Sequence, residues 1–241
     1  MSIFKNIDIL KLNVDYLLNN IFDDLSEIMS QYNSDKGFGL SKKFIDNDEY
    51  PSNRVCHNYT YFYNTLFHSF RNENLLIFEL GVGVPACMGE GSWAGSLKGW
   101  ADYFPNSKVY SADIDKEWLY NTDRIKSYYL DVENTDSIEE LWKIVPEEQF
   151  DLIIDDGPHT HLSNILFYKN SIHKLKKNGL YIIEDVSLDF IDILYTEIKD
   201  YNEIHDIKYD IIKLIIPWPK KFEHASEYIL KMNNLLFIHV H

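Results

Sequence analysis

An α/β fold is what the sequence predicts: a doubly wound, mostly parallel seven-stranded sheet with an antiparallel C-terminal strand, preceded by an N-terminal helical cap. Three observations carry this. From residue 75 onward, short apolar runs alternate with segments of helical periodicity, as βαβ units require. Six of the ten glycines crowd between Gly81 and Gly99, directly after the first apolar run. Acidic residues stand at or beside the ends of the first five runs.

In chain order, Tyr16, Leu17, Ile21, Leu25 and Ile28 recur at helical spacing, which predicts an amphipathic helix over residues 14–32. Residues 33–58 are polar and without period, a loop long enough to suggest a functional role. Residues 59–70 predict a second, aromatic helix. Strands are then expected at Leu75–Leu80, Lys108–Asp113, Ile125–Leu130, Phe150–Asp155 and Leu180–Glu184. Helices are expected over 92–103, 116–122, 134–144, 161–176 and 187–201. Such an alternation builds a buried parallel sheet through right-handed crossovers. Two further strands, Tyr209–Ile216 and Leu235–Val240, would pair as an antiparallel ribbon. No repeat or linker is visible. Residues 1–72 therefore read as a cap, and residues 73–241 as the main domain of one compact unit.

The 241 residues carry 45% apolar and 15% aromatic side chains and a formal charge of −15. That composition excludes disordered and collagen-like classes. The negative charge argues against duplex nucleic acid or a membrane face as partner. Two cysteines, Cys56 and Cys87, make neither a disulfide framework nor a four-thiolate zinc site, and are expected to be reduced thiols. No apolar run is long enough to span a membrane. The acidic N-terminus is unlike a signal peptide. The expectation is a soluble cytoplasmic protein, with a homo-oligomer left open.

The first strand runs Phe78-Glu79-Leu80-Gly81-Val82-Gly83. Glycines at this exit let backbone approach a ligand at the switch point of the sheet. Gly81-Val82-Gly83-Val84-Pro85-Ala86 fits the loose dinucleotide fingerprint. However, Pro85 falls where a helix should open, and Asp113 closes the second strand about thirty positions on, later than the ~20 expected for a nicotinamide site. Glu79 before the glycines and Asp113 at the end of strand two resemble instead the S-adenosylmethionine pattern of class I methyltransferases. An ordinary strand–helix turn is the plainer alternative.

The fourth strand ends Asp155-Asp156-Gly157-Pro158-His159, and the fifth ends Glu184-Asp185. The C-terminal ends of neighbouring strands share one crevice, so four carboxylates and a histidine converge there. Their repulsion calls for a cation, and a magnesium ion is the simplest oxygen-liganded one. His159 would then stand beside it as a general base. Alternatively, Asp155 or Asp156 caps the helix that follows. His161 reads as a surface or supporting residue, and His239 and His241 as structural or terminal. Trp93 and Trp100 could cover a cationic ligand, though their helical spacing suits a core.

Taken together, ELGVG, SLKGWADYFPNSKVYSADID, IIDDGPH and GLYIIEDV resemble the metal-dependent sugar O-methyltransferases of macrolide biosynthesis, the macrocin and mycinamicin types, with cephalosporin-hydroxylase-like relatives. The upstream SDKG and HNYTYFY resemble a TDKG…H-x-Y element of that group. The resemblance covers roughly residues 33–186 and implies a Rossmann-like fold. It implies Asp156, Glu184 and Asp185 as magnesium ligands, with Asp156 and His159 catalytic. Glu79, Gly81, Gly83, Asp113, Asp131 and Asp155 would surround S-adenosylmethionine, and Ser34, Asp35 and Lys36 would close over it. Pro158 and Ala112 depart from the group's usual small polar residue and glycine, and the long N-terminal domain of the mycinamicin enzyme has no counterpart.

The implied activity is methyl transfer to an oxygen of a small molecule. The acceptor expected is a sugar or phosphorylated precursor of bacterial surface-glycan (capsule) or specialised-metabolite pathways. A metal-dependent hydroxylase or hydrolase, or a non-catalytic nucleoside-binding module, are the alternatives.

Overall fold

The computed structural model describes residues 3–12, 24–37, 57–83, 92–217, 227 and 231–241. The first part of the 14–32 helix, most of the 33–58 loop, Cys56, Cys87, Gly39, Gly89, Gly91 and Pro85 lie outside the described residues.

Seven strands form one sheet: β1 (Leu76–Leu80), β2 (Lys108–Asp113), β3 (Ile125–Tyr129), β4 (Phe150–Asp155), β5 (Leu175–Ile183), β6 (Tyr209–Ile215) and β7 (Asn234–Val240). Their spatial order is β3-β2-β1-β4-β5-β7-β6. The first five pair in parallel, and β7 inserts antiparallel between β5 and β6. The described helices are α1 (Asp24–Gln31), α2 (Thr60–Phe67), α3 (Gly95–Tyr103), α4 (Thr135–Ile144), α5 (His161–Ser171) and α6 (Ile191–Ile204).

Successive side chains of a strand point to opposite faces, and both faces here are apolar. Ile77, Leu152, Ile154, Leu180, Ile182 and Phe237 join a core with Phe4, Leu25, Met29, Phe67 and Trp100. Their sequence neighbours Phe78, Ile153, Tyr181, Ile183 and Leu236 join a second core with α4, α5 and α6. Two-sided burial is why these strands read as continuous apolar runs.

Four elements differ most from the sequence expectation. Residues 116–122 form only a 3-10 turn, Lys116–Trp118, capped by Asp115. Leu119 is already extended, and Tyr120 then bonds through its backbone to Ser127. Strand β5 begins at Leu175 and not at Leu180, because a register shift opposite Phe150 and Leu152 carries the polar stretch Lys176–Asn178 within the strand. The helix expected over 161–176 ends at Ser171, followed by one 3-10 turn, and the last helix begins at Ile191.

The crossover direction reverses between β1 and β4, which places a ligand crevice beyond their C-terminal ends. Leu80 lies in register with Ala112 and Asp155, and Asp155 with Ile183. The ladder continues one residue further through Gly81 N–H to Ala112 O, Asp156 N–H to Leu80 O and Glu184 N–H to Asp155 O. Gly81, Asp156 and Glu184 therefore stand side by side at the rim of the crevice.

Candidate functional site at the C-terminal ends of the strands

A cavity of about 720 Å³ opens over these strand ends, lined by Gly81, Gly83, Asp113, Asp131, Asp156 and His159 together with Asp35 and Asp185. Its size lies within the range of ligand pockets. Leu80, Ile114, Leu130, Val132 and Pro158 supply apolar wall. Ile114 is 64% exposed, an apolar side chain left bare at the rim.

Gly81 has φ +95°, and a Cβ there would stand 2.3 Å from the Asp156 carbonyl oxygen. No other residue fits that contact. Gly83 has φ +71° but open space around it, so its requirement is conformational alone. Asp113 ties the turn in place: its carboxylate accepts from Val82 N–H at 2.9 Å and Asp115 N–H at 3.0 Å. Asp131 accepts from Glu133 N–H, next to Leu130, whose N–H bonds Asp113 O.

Beneath the cavity lies a buried ion cluster. Strand alternation turns Glu79, Asp156 and Glu184 toward the face covered by the N-terminal elements and α3. There the Lys36 ammonium, 1% exposed, donates to Asp156 Oδ2 and Glu184 Oε2 at 2.6 Å each, with Glu79 Oε1 at 3.7 Å. Burial alone would lower the lysine pKa, but Asp156, Glu184, Glu79 and Asp35 hold it well above its usual value. The charge is not balanced, since several carboxylates share one ammonium. Burial accordingly raises Glu184 well above the carboxylate range and Glu79 to about 7, with Lys36 opposing both. Glu79 also accepts from Ser96 and the Trp100 indole.

Aromatic residues complete the cluster. Tyr63 O–H donates to Glu184 Oε1 at 2.6 Å, and Tyr59 O–H to Asp185 Oδ1 at 2.5 Å. His57 Nε2 lies 3.4 Å from the same Asp185 oxygen, its ring stacked on Tyr59. Burial would raise Asp185, yet His57, His159 and the Tyr59 hydroxyl hold it below its usual value. Tyr59 and Tyr63 are one helical turn apart and so point the same way. For Tyr63 that spacing was the available signal, whereas His57 and Tyr59 stand in the H-x-Y element of the resemblance; none of the three was assigned a role from the sequence.

His159 Nε2 stands 3.8 Å from Asp156 Oδ1 and 3.7 Å from Asp185 Oδ2. His159 and Asp185 both adopt left-handed backbone, φ 56° and 52°, a conformation that costs non-glycine residues energy and gathers at functional sites. The helix after His159 is capped by Thr160 through a capping box with Ser163. Asp156 is thus free of the capping duty weighed from sequence.

The remaining sequence assignments divide. Asp155 is corrected: alternation turns its carboxylate to the opposite face, fully buried, where Asn164 donates to it at 3.1 Å, and burial lifts its pKa to about 6. Of the three SDK residues only Asp35 reaches the cavity. Ser34 is buried against the start of α3, and Lys36 lies under the floor. Both therefore depart from the expected closure over a cofactor. The described donor cluster differs from the expected magnesium set of Asp156, Glu184 and Asp185. Asp156, His159 and Asp185 bring donor atoms within 4.8 Å of one another, whereas both Glu184 oxygens are engaged by Lys36 and Tyr63. Two carboxylates facing an excess of negative charge suit a hard divalent cation. Trp100 is core, Trp93 donates to Trp118 O, and His161 pairs with Glu197 away from the cavity.

The fold is a Rossmann-like α/β sheet closed by an antiparallel ribbon, and it is shared with a methyltransferase. The mycinamycin-pathway methyltransferase solved in complex with Mg, SAH and mycinamycin VI superposes with a TM-score of 0.61 at 21% identity, over 90% of this chain and 54% of that one. No family model matches the sequence. Among curated proteins the chain is similar to the 8-demethyl-8-alpha-L-rhamnosyl tetracenomycin-C 2'-O-methyltransferase of Streptomyces olivaceus, 29% identical over 137 residues, 56% of this chain and 34% of that protein. It is also similar to the mycinamicin VI 2''-O-methyltransferase of Micromonospora griseorubida, 27% identical over 164 residues, 68% of this chain and 36% of that protein. The chain thus spans about a third of the length of these relatives. No described helix is long and apolar enough to cross a membrane.

Proposed function

We propose that the protein is an S-adenosylmethionine-dependent O-methyltransferase acting on a sugar hydroxyl of a small glycosylated molecule. The observation that carries this reading is that Gly81, Gly83, Asp113 and Asp131 line the same cavity as Asp156, His159 and Asp185. The first group suits a nucleoside ligand, and the second a proton transfer.

S-adenosylmethionine would supply an activated methyl group, which needs no covalent help from the protein. In this reading Gly81 and Gly83 admit the methionine part, Asp113 takes the ribose hydroxyls, and Ile114, Leu130 and Pro158 flank the base beside Asp131. Magnesium, held by Asp156 and Asp185, would lower the pKa of an acceptor hydroxyl. Glu184 joins that set only by exchanging Lys36. His159, held beside both aspartates, accepts the hydroxyl proton. Residues 1–72 act as a cap on domain 73–241, because Lys36, Tyr59 and Tyr63 reach onto the strand ends.

The lining chemistry chooses among acceptors. Asp35, Asp113, Asp115, Asp131, Glu133, Asp156 and Asp185 are acidic, and no lysine or arginine is among the described lining residues. A neutral polyol fits this wall better than a phosphorylated precursor. Calorimetry with S-adenosylmethionine, followed by methyl-transfer assays on neutral glycosides, sugar phosphates and nucleotide sugars, tests the reading. Binding together with methylation of neutral glycosides is expected. Cofactor binding without transfer to any acceptor would favour a nucleoside-binding module, and preference for sugar phosphates would return the acceptor to glycan precursors.

A further inference from the structure

The end of the sheet opposite the crevice carries a second cluster of ligand-forming side chains. Strand β7 runs antiparallel to β5, with His239 across from Leu180, so its last residues lie at the N-terminal end of the parallel strands. On its other side His239 is the direct register partner of Asp210 in β6, and His241 follows two positions later on the same face. The three donor groups lie within 4.8 Å of one another. His241 Nε2 stands 2.8 Å from Asp210 Oδ2, and the two imidazole rings lie edge to face at 4.8 Å.

The state of His239 points to a ligand. The sequence alone reads it as a structural or terminal histidine. A buried structural histidine, however, normally donates one ring N–H and accepts at the other nitrogen. His239 is 1% exposed, and neither ring nitrogen has a hydrogen-bond partner among the described residues. The backbone of Asn178 and of Phe4 also lies against the ring.

We propose that Asp210, His239 and His241 form a zinc site that ties the β6–β7 ribbon together beneath the N-terminal segment. Two imidazoles and one carboxylate are a borderline donor set. It suits zinc and disfavours magnesium, which takes oxygen ligands only. Three protein ligands leave the fourth tetrahedral position to water. The site is separate from the crevice, and its test does not depend on the methyltransferase reading.

Untagged protein, stripped with EDTA and returned to excess MgCl₂, is titrated calorimetrically with ZnCl₂, and its Tm is read with and without zinc. His241→Ala and Asp210→Asn are the informative variants, because both side chains are 42% exposed and their loss leaves the core intact. Wild type should take up one zinc equivalent and gain Tm. Both variants should lose that equivalent and that gain. Asp156→Asn, in the crevice, should keep them. Absence of zinc uptake by wild type, retention of the equivalent in both ribbon variants, or its loss in Asp156→Asn would each overturn the proposal.

Discussion

The Lys36 ammonium stands 2.6 Å from a carboxylate oxygen of Glu184, although 148 residues separate the two in sequence. It is the same distance from Asp156. A fixed cation thus occupies the centre of an acidic cluster that sequence reasoning neutralised with a metal alone. Removing one partner of a buried ion pair leaves an uncompensated charge, at a cost of about 3–5 kcal/mol.

Lys36→Met should therefore lower unfolding stability by about 3–5 kcal/mol in urea denaturation. The Lys36→Met/Glu184→Gln double variant should recover part of the loss, because removing both partners costs less than removing one. Magnesium should raise the Tm of Lys36→Met more than that of wild type, since it resupplies the missing positive charge. A Lys36→Met protein as stable as wild type would contradict the buried pairing.

His159→Ala should reduce methyl transfer by about 10²- to 10⁴-fold, the usual contribution of a general base. S-adenosylmethionine binding, measured by calorimetry, should persist, because the nucleoside side of the cavity is built from other residues. EDTA should reduce turnover of wild type in the same assay. Activity surviving both treatments would refute the proton-transfer assignment.

Two glycines in one turn should respond differently. Gly81→Ala places a methyl group 2.3 Å from the Asp156 carbonyl oxygen, where only backbone movement can relieve the clash. Stability and cofactor affinity should fall together. Gly83→Ala meets no atom within 4 Å and should cost only the left-handed strain, about 1–2 kcal/mol. Thermal melts and calorimetric titrations of the two variants make the comparison, and equal effects would show that the contact is not limiting.

Adjacent aspartates should separate by face. Asp155→Asn keeps the volume and can donate to Asn164 Oδ1, which has no hydrogen-bond partner among the described residues. It should leave cofactor binding and turnover close to wild type. Asp156→Asn removes charge from both the Lys36 pair and the cavity wall and should abolish turnover. The same methyl-transfer assay reads both variants, and loss of activity in Asp155→Asn would return that residue to the site.

Much of this architecture is local and therefore legible in one dimension. Apolar runs such as Phe150–Asp155 are buried on both faces and read as strands from composition, and the acids at their ends follow from chain order. Elements whose limits depend on partners were less legible. The turn at Lys116–Trp118 was read as a helix, and Lys176–Asn178 hides the first half of β5, because pairing across the sheet outweighs local propensity there.

Which acid does what was decided only in three dimensions. Alternation sends Asp155 to one face and Asp156 toward the other, and the fold then brings Lys36, Tyr59 and Tyr63 from the N-terminal segment onto Asp156, Asp185 and Glu184. Buried charges are tolerated only with partners. Those partners lie more than a hundred residues away in the chain, beyond the reach of any periodicity or motif spacing.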